Sequence, residues 1–197
     1  MSVISIRAAF AAAAVLAAST SAQALVFDQV EIRSALAGNS TGATPLQVAE
    51  LQAFTFGGVN VALDANGGSA SALSVYYAYS LGPENAIDGQ TAGLLNVDDF
   101  YHSNGEGPEE YLLVSFDAAY DIAALTIYGR GDCCSDRDAY KYSLLLNGEV
   151  VGSGTLDARE TRVDTVTFAA PADVPAPAAL GLLGFGLGAL GLRRRAR

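Results

Sequence analysis

The chain has 197 residues and a formal net charge of −10, with 51% hydrophobic and 16% charged residues. All 21 acidic residues fall between positions 25 and 173, whereas five of the 11 basic ones lie outside that stretch, so the middle of the chain is more acidic than the whole. Such a balance excludes nucleic acid and anionic membrane as partners of the central region, because both require Lys/Arg patches. Cations and neutral ligands stay open.

At the start, Arg7 precedes the apolar run Ala8 to Ala18, and Ala22-Gln23-Ala24 supplies a small-x-small cleavage site. This three-part pattern reads as a secretory signal over 1–24 and predicts export. Residues 25–173 then have the length of one domain with a real core. Leu46 to Phe56 reads as a strand, and Gly57-Gly58 and Gly67-Gly68 as turns rather than phosphate loops, since no helix follows them. Leu112–Phe116, Ala124–Tyr128 and Tyr142–Leu146 are short apolar runs bounded by Gly, Asp and Asn. Asn147-Gly148 marks a hairpin, because both residues tolerate the positive φ of a tight primed turn. Val163 to Phe168 reads as the last strand. With no long amphipathic helix and no internal repeat, the expected fold class is all-β, a sandwich or jelly roll.

One octapeptide carries chemistry: Arg130-Gly131-Asp132-Cys133-Cys134-Ser135-Asp136-Arg137, on a loop that follows a predicted strand. Its two cysteines are the only ones in the chain. In an oxidising compartment they close on each other, bridge two chains or stay free. Closed on each other, they would present a small apolar sulfur face between two arginines. A pyranose suits that surface, with C–H groups on the face and hydroxyls on the guanidinium forks.

The octapeptide resembles the fucose-binding motif of F-type lectins, in which Arg-x-Asp is followed after four residues by Arg or Lys. Arg130, Asp132 and Arg137 fit that spacing, and His102, the only His, lies upstream at about the family's distance, one residue longer than usual. The resemblance implies that His102, Arg130 and Arg137 hold sugar hydroxyls, that Cys133 and Cys134 pair and pack against the sugar, and that Asp132 orients the arginines. Asn85-Ala86-Ile87-Asp88-Gly89-Gln90 is similar to the family's loop for a structural Ca²⁺. Backbone oxygens of Asn85 and Gln90 and the Asp88 carboxylate would serve a hard cation, with Asp99 as a further ligand. The family's last ligand is a Glu in a late strand. Here Leu46–Phe54 offers Glu50 near the beginning, which resembles a permuted first strand. The resemblance covers most of Leu46 to Leu146 and implies a galactose-binding-like β-jelly roll.

At the end, Val174-Pro175-Ala176-Pro177-Ala178 precedes the uncharged run Ala179 to Leu192, and Arg193, Arg194, Arg195 and Arg197 close the chain. The apolar run is shorter than the ~20 residues of a full span, and the basic cluster should stay cytoplasmic. The tail over 174–197 resembles a PEP-CTERM sorting signal, with Ala176 where that family has Glu. This implies a Gram-negative bacterium and transient anchoring in the inner membrane through the tail. It further implies cleavage near Val174 by an exosortase-type protease, and delivery to the cell surface or extracellular matrix.

The expected function is therefore that of an exported carbohydrate-binding protein with a glycan or exopolysaccharide as partner. The alternative is a structural matrix protein that keeps the fold without sugar affinity. Asp98-Asp99 and Glu109-Glu110 are acidic pairs of the sort glycosidases use. No nucleophile–base arrangement accompanies them, so no enzyme is expected.

Overall fold

The computed structural model describes residues 25–36 and 44–170. The leader expected over 1–24 and the sorting tail expected over 174–197, with its apolar run, lie outside the described residues. Among the described residues no helix is long and apolar enough to cross a membrane.

The fold is all-β, an antiparallel sandwich of the jelly-roll type. Its strands are β1 (Val26–Ser34), β2 (Gln47–Val48), β3 (Glu50–Thr55), β4 (Ser69–Ala72), β5 (Tyr101–His102), β6 (Leu112–Tyr128), β7 (Ala139–Leu146), β8 (Glu149–Asp157) and β9 (Val163–Thr167). Only short 3-10 turns interrupt them.

Strand β6 organises the molecule. Its first half pairs with β1 and β4, and its second half, from Ile122 on, lies between β3 and β9. β1 pairs onward with β7, and β7 with β8. Leu112, Val114 and Phe116 are buried along the first half, and Ile122, Leu125 and Ile127 along the second. Between them Asp117, Ala118 and Ala119 are exposed. The two predicted strands at 112–116 and 124–128 are thus one 17-residue strand. The polar middle marks where it passes from one set of partners to the other.

The strand predicted over Leu46–Phe56 is instead divided. β2 pairs with β5, Gln47 opposite His102, while β3 joins β6, with Glu50 opposite Tyr128. Ala49 marks the step, its N–H bonded to the Tyr128 carbonyl at 2.8 Å. The Asn147-Gly148 hairpin forms as expected, with φ of 53° and 84°, and joins β7 to β8. Gly58 and Gly67 sit at turns with φ of 79° and 93°.

A main core includes Phe27, Val30, Ile32, Leu51, Leu112, Leu125 and Tyr140. A second, smaller cluster, Ala49, Leu81 and Phe100, is packed by Tyr76, Leu95 and Tyr128, and it lies where β3, β5 and the end of β6 meet. Leu125→Ala empties the centre of β6 at a fully buried position and is expected to cost about 2–5 kcal/mol. Val150→Ala, at a side chain 62% exposed, is expected to stay within about 0.5 kcal/mol of wild type. Urea denaturation of the two variants measures the contrast.

Candidate ligand site

Beyond Tyr128 the chain leaves β6 and turns back through residues 129–138 into β7. Two glycines permit the turn. A Cβ on Gly129 would lie 2.2 Å from the Asp138 carboxylate, and one on Gly131 would lie 1.9 Å from the Ala92 carbonyl oxygen. The loop is thereby seated on its neighbour, with the Gly131 N–H bonded to the Gly93 carbonyl at 2.8 Å.

Arg130 is only 9% exposed. Its guanidinium lies over the Phe100 ring, 4.7 Å from the centroid, and its Nε donates to Asp132 Oδ1 at 2.5 Å. The other Asp132 oxygen accepts the Leu95 N–H at 3.1 Å. The hydrogen bond from Arg130 holds the Asp132 carboxyl below the usual carboxylate range. Cys133 and Cys134 are joined to each other by a disulfide, with Cα atoms 3.8 Å apart. Both are half-buried, and Cys134 has a left-handed backbone with φ of 61°. A single 3-10 turn, Ser135–Arg137, then presents a half-buried Arg137.

His102 stands on β5, its ring centroid 6.2 Å from that of Phe100. Its Nδ1 lies 2.6 Å from the Ser103 carbonyl oxygen. Burial lowers its pKa; the Ser103 bond opposes that shift, and the charges of Arg130 and Arg137 add to it. The imidazole is therefore neutral near pH 7, with Nδ1–H donating to Ser103 and Nε2 left as an acceptor. Phe100 lies under the Arg130 guanidinium and beside the His102 ring and so joins these two residues, and Arg137 follows on the same loop as Arg130. Together they offer one acceptor and two donor forks beside a sulfur surface, which complements a small neutral polyol with an apolar face.

Several neighbours were not singled out from the sequence. Phe100 is the floor under Arg130. Tyr76 packs against His102 with ring centroids 4.9 Å apart and stacks on Tyr79 at 6.1 Å and 20°. Tyr77 is 85% exposed. The only sequence signal for this patch was the local run Tyr76-Tyr77-Ala78-Tyr79. Arg162, just ahead of β9, reaches back to the octapeptide: its Nη1 donates to the carbonyl oxygens of Arg130 and Cys133 and lies 3.5 Å from Asp138 Oδ2.

A second group of predicted residues also meets. Asn85, Asp88, Gln90, Asp98 and Asp99 line a cavity of about 330 Å³. Glu50 approaches from β3, its Oε2 accepting the Gly89 N–H at 3.3 Å. Its other oxygen is buried and has no hydrogen-bond partner. Burial pushes the Glu50 carboxyl up to about 8, with the charge of Asp88 adding to it. Asp88 is raised too, by burial first and then by Asp99, against the pull of the Gln90 N–H. Among the described residues no three His, Cys, Asp or Glu side chains form a metal-holding cluster, so a cation here would draw on backbone oxygens as well. An orphaned buried carboxylate oxygen beside other carboxylates fits such a cation. Of the acidic pairs, Asp98 and Asp99 line this cavity, while Glu110 is buried and accepts the Ser74 hydroxyl at 2.7 Å.

Fold and site together define an all-β sandwich with a loop-borne polar site at one end. No family model matches the chain and no solved structure matches it. It is similar to Fucolectin-3 of Anguilla japonica, with 35% identity over 82 residues. That stretch is 40% of this chain and 42% of the relative, so the chain spans about two fifths of the protein it matches.

Asp138, fully buried beneath the loop, has a stability signature of its own. Burial pushes its carboxyl up to about 6, against the Tyr140 hydroxyl and the Arg162 charge. The unfolded carboxyl titrates near ~3.9, so the folded state binds the proton more tightly and the ionised form costs stability above the folded value. The stability of wild type relative to Asp138→Asn is expected to rise as the pH falls from about 8 to about 4. Paired urea titrations at the two pH values measure the gap, and a gap independent of pH would contradict the assignment.

Proposed function

We propose that this domain is a non-catalytic, lectin-like module that binds a terminal fucose or a sugar with the same hydroxyl arrangement, on a protein exported to the cell surface or matrix. The observation that supports this reading is the closed Cys133–Cys134 disulfide on one loop between Arg130 and Arg137, with the Arg130 guanidinium and the His102 ring both against Phe100. In it, Nε2 of His102 accepts one sugar hydroxyl, the guanidinium groups donate to others, and the sugar's apolar face packs on the sulfur atoms. Tyr77 and Tyr79 lie beyond Tyr76, where a neighbouring sugar ring can stack. The partial likeness to a fucolectin supports the same class. Leader and sorting tail, read from the sequence, support export and an exosortase-type processing step.

A Ca²⁺ ion belongs to this proposal as a structural clamp. Glu50 and Asp88 would hold it, with backbone oxygens of Asn85 and Gln90, and Asp99 would face it from the cavity wall. The ion would supply charge neutralisation for the Glu50 carboxyl, which burial pushes up to about 8.

A second reading rests on Arg130, which already has partners in Asp132 and Phe100: the loop would be a structural knot in a matrix protein. A glycan array with Ca²⁺ separates the two. Binding of residues 25–173 to fucosylated glycans, reduced about tenfold or more in Arg137→Ala, supports the lectin. A blank from folded protein supports the matrix reading, and release of sugar from the array would point to catalysis.

The clamp has its own measurement. Ca²⁺ at about a hundredfold excess over its Kd should stabilise the domain by roughly 3 kcal/mol. Glu50→Gln is expected to lose most of that gain while matching wild type in chelator near pH 7, because the Glu50 carboxyl, pushed up to about 8, is already uncharged there. Thermal melts with Ca²⁺ and with chelator decide it, and an equal Ca²⁺ response in both proteins removes Glu50 from the site.

A further inference from the structure

We propose that Arg162 is a positioning residue for the ligand site, a bracket that fixes the Arg130–Cys133 turn by binding two of its carbonyl oxygens. The inference rests on the sugar-site reading for its affinity readout.

Four observations carry it. The guanidinium of Arg162 donates through Nη1 to the carbonyl oxygens of both Arg130 and Cys133. Those carbonyls flank Gly131 and Asp132, so a single nitrogen closes the segment that carries the first arginine and the first cysteine of the octapeptide. The Arg162 backbone holds the residue just before that segment, its carbonyl accepting the Gly129 N–H at 2.8 Å. Arg162 also has φ of 64°, a left-handed conformation that non-glycine residues adopt at a cost and mostly where surroundings enforce it.

The bracket reaches the opposite wall of the site. Arg162 Nη1 lies 3.5 Å from Asp138 Oδ2, and the buried Tyr140 hydroxyl is shared between Asp138 Oδ1 at 3.1 Å and the Gln47 carbonyl at 2.9 Å. Gln47 is the ladder partner of His102. A continuous polar path thus joins the octapeptide to the strand that bears His102, through groups that are buried at Asp138 and Tyr140. Networks of this kind fix geometry when every member is satisfied. Lysine could keep the charge opposite Asp138, but its compact ammonium lacks the guanidinium fork.

Contrast comes from Arg159. It is exposed, and its side chain pairs with Asp157 alone, at 2.6 Å. It lies three residues away and touches nothing in the octapeptide among the described contacts.

The test compares full-length wild type, Arg162→Gln, Arg162→Lys and Arg159→Ala, at a temperature where all are folded. Two quantities are read: affinity for a fucosylated glycan, and the rate at which a thiol reductant opens the Cys133–Cys134 disulfide. Arg162→Gln is expected to weaken binding about tenfold or more and to speed reduction, because the Cys133 carbonyl is released. Arg162→Lys should fall between it and wild type, and Arg159→Ala should match wild type in both. Should Arg162→Gln not fold, Arg162→Lys carries the same comparison. Wild-type affinity in the Arg162 variants overturns the proposal. If wild type itself binds no glycan, the sugar reading fails and the reduction rate alone decides: faster reduction in the variants upholds the bracket, and an unchanged rate overturns it.

Discussion

The structure depends on one continuous strand, β6, serving both parts of the sandwich. Its first half is laced to β1 and β4 and its second to β3 and β9, so displacing it would leave those four strands without their common partner. The same strand delivers the site. Where its pairing ends at Tyr128, Gly129 turns the chain over the Asp138 carboxylate with no room for a side chain, and the octapeptide follows at once. A rigid central strand is a sound base for such a loop, because its last paired residues are fixed on both edges. Glu50 opposite Tyr128 makes the candidate cation site another feature of the same strand end.

Charge is distributed in keeping with this geometry. Residues 25–173 carry six basic side chains against 21 acidic ones, and Arg130, Arg137 and Arg162, three of the six, are in or against one loop. In an acidic domain that concentration makes the loop the place where donors collect. Arg130 and Arg162 are spent on organising the site: Arg130 grips Asp132 and lies on Phe100, and Arg162 grips the loop backbone. Arg137, by contrast, has no ion-pair partner among the described residues, which leaves it the freest donor for a ligand. Burial and the charges of two guanidiniums favour the neutral form of His102 against the pull of the Ser103 carbonyl, which makes the imidazole an acceptor rather than a third cation.

Much of this was legible in the sequence, and the gaps have physical causes. The octapeptide could be read because adjacent cysteines between spaced arginines have few uses, and the Asn147-Gly148 hairpin because positive φ is a chemical demand. β1 was missed: Val30, Ile32 and Ser34 alternate inward, but charged Glu31 and Arg33 sit between them, Asp28 precedes them, and a bulge at Phe27–Gln29 breaks the period. β4, Ser-Ala-Ser-Ala, has no side chain large enough to register as a strand. The stretch Asp117–Asp121 looked like a break because it is polar, though its backbone stays extended across the handover between partners. Phe100 and Tyr76 could not be assigned because their role is to lie under Arg130 and His102, a tertiary fact. Arg162 was hidden for the same reason: Asp157-Ala158-Arg159-Glu160-Thr161-Arg162 reads as a solvated turn until the fold returns it to the octapeptide.

The absence of Trp from the sequence shapes how a ligand face can be built. Without an indole, apolar area for a ligand comes from two smaller sources, the sulfur pair of Cys133–Cys134 on the loop and the Tyr76–Tyr79 stack beside His102. A small platform contributes less through area, so position matters more. The groups around it are held before any ligand arrives: His102 by Ser103, Arg130 by Asp132, Asp132 by Leu95, and the loop backbone by Arg162. Ordering these side chains during folding removes an entropic cost that binding would otherwise bear, of roughly 0.5–1.5 kcal/mol per side chain. A modest contact surface can then suffice because its geometry is set in advance, and the buried network through Asp138 and Tyr140 is what sets it.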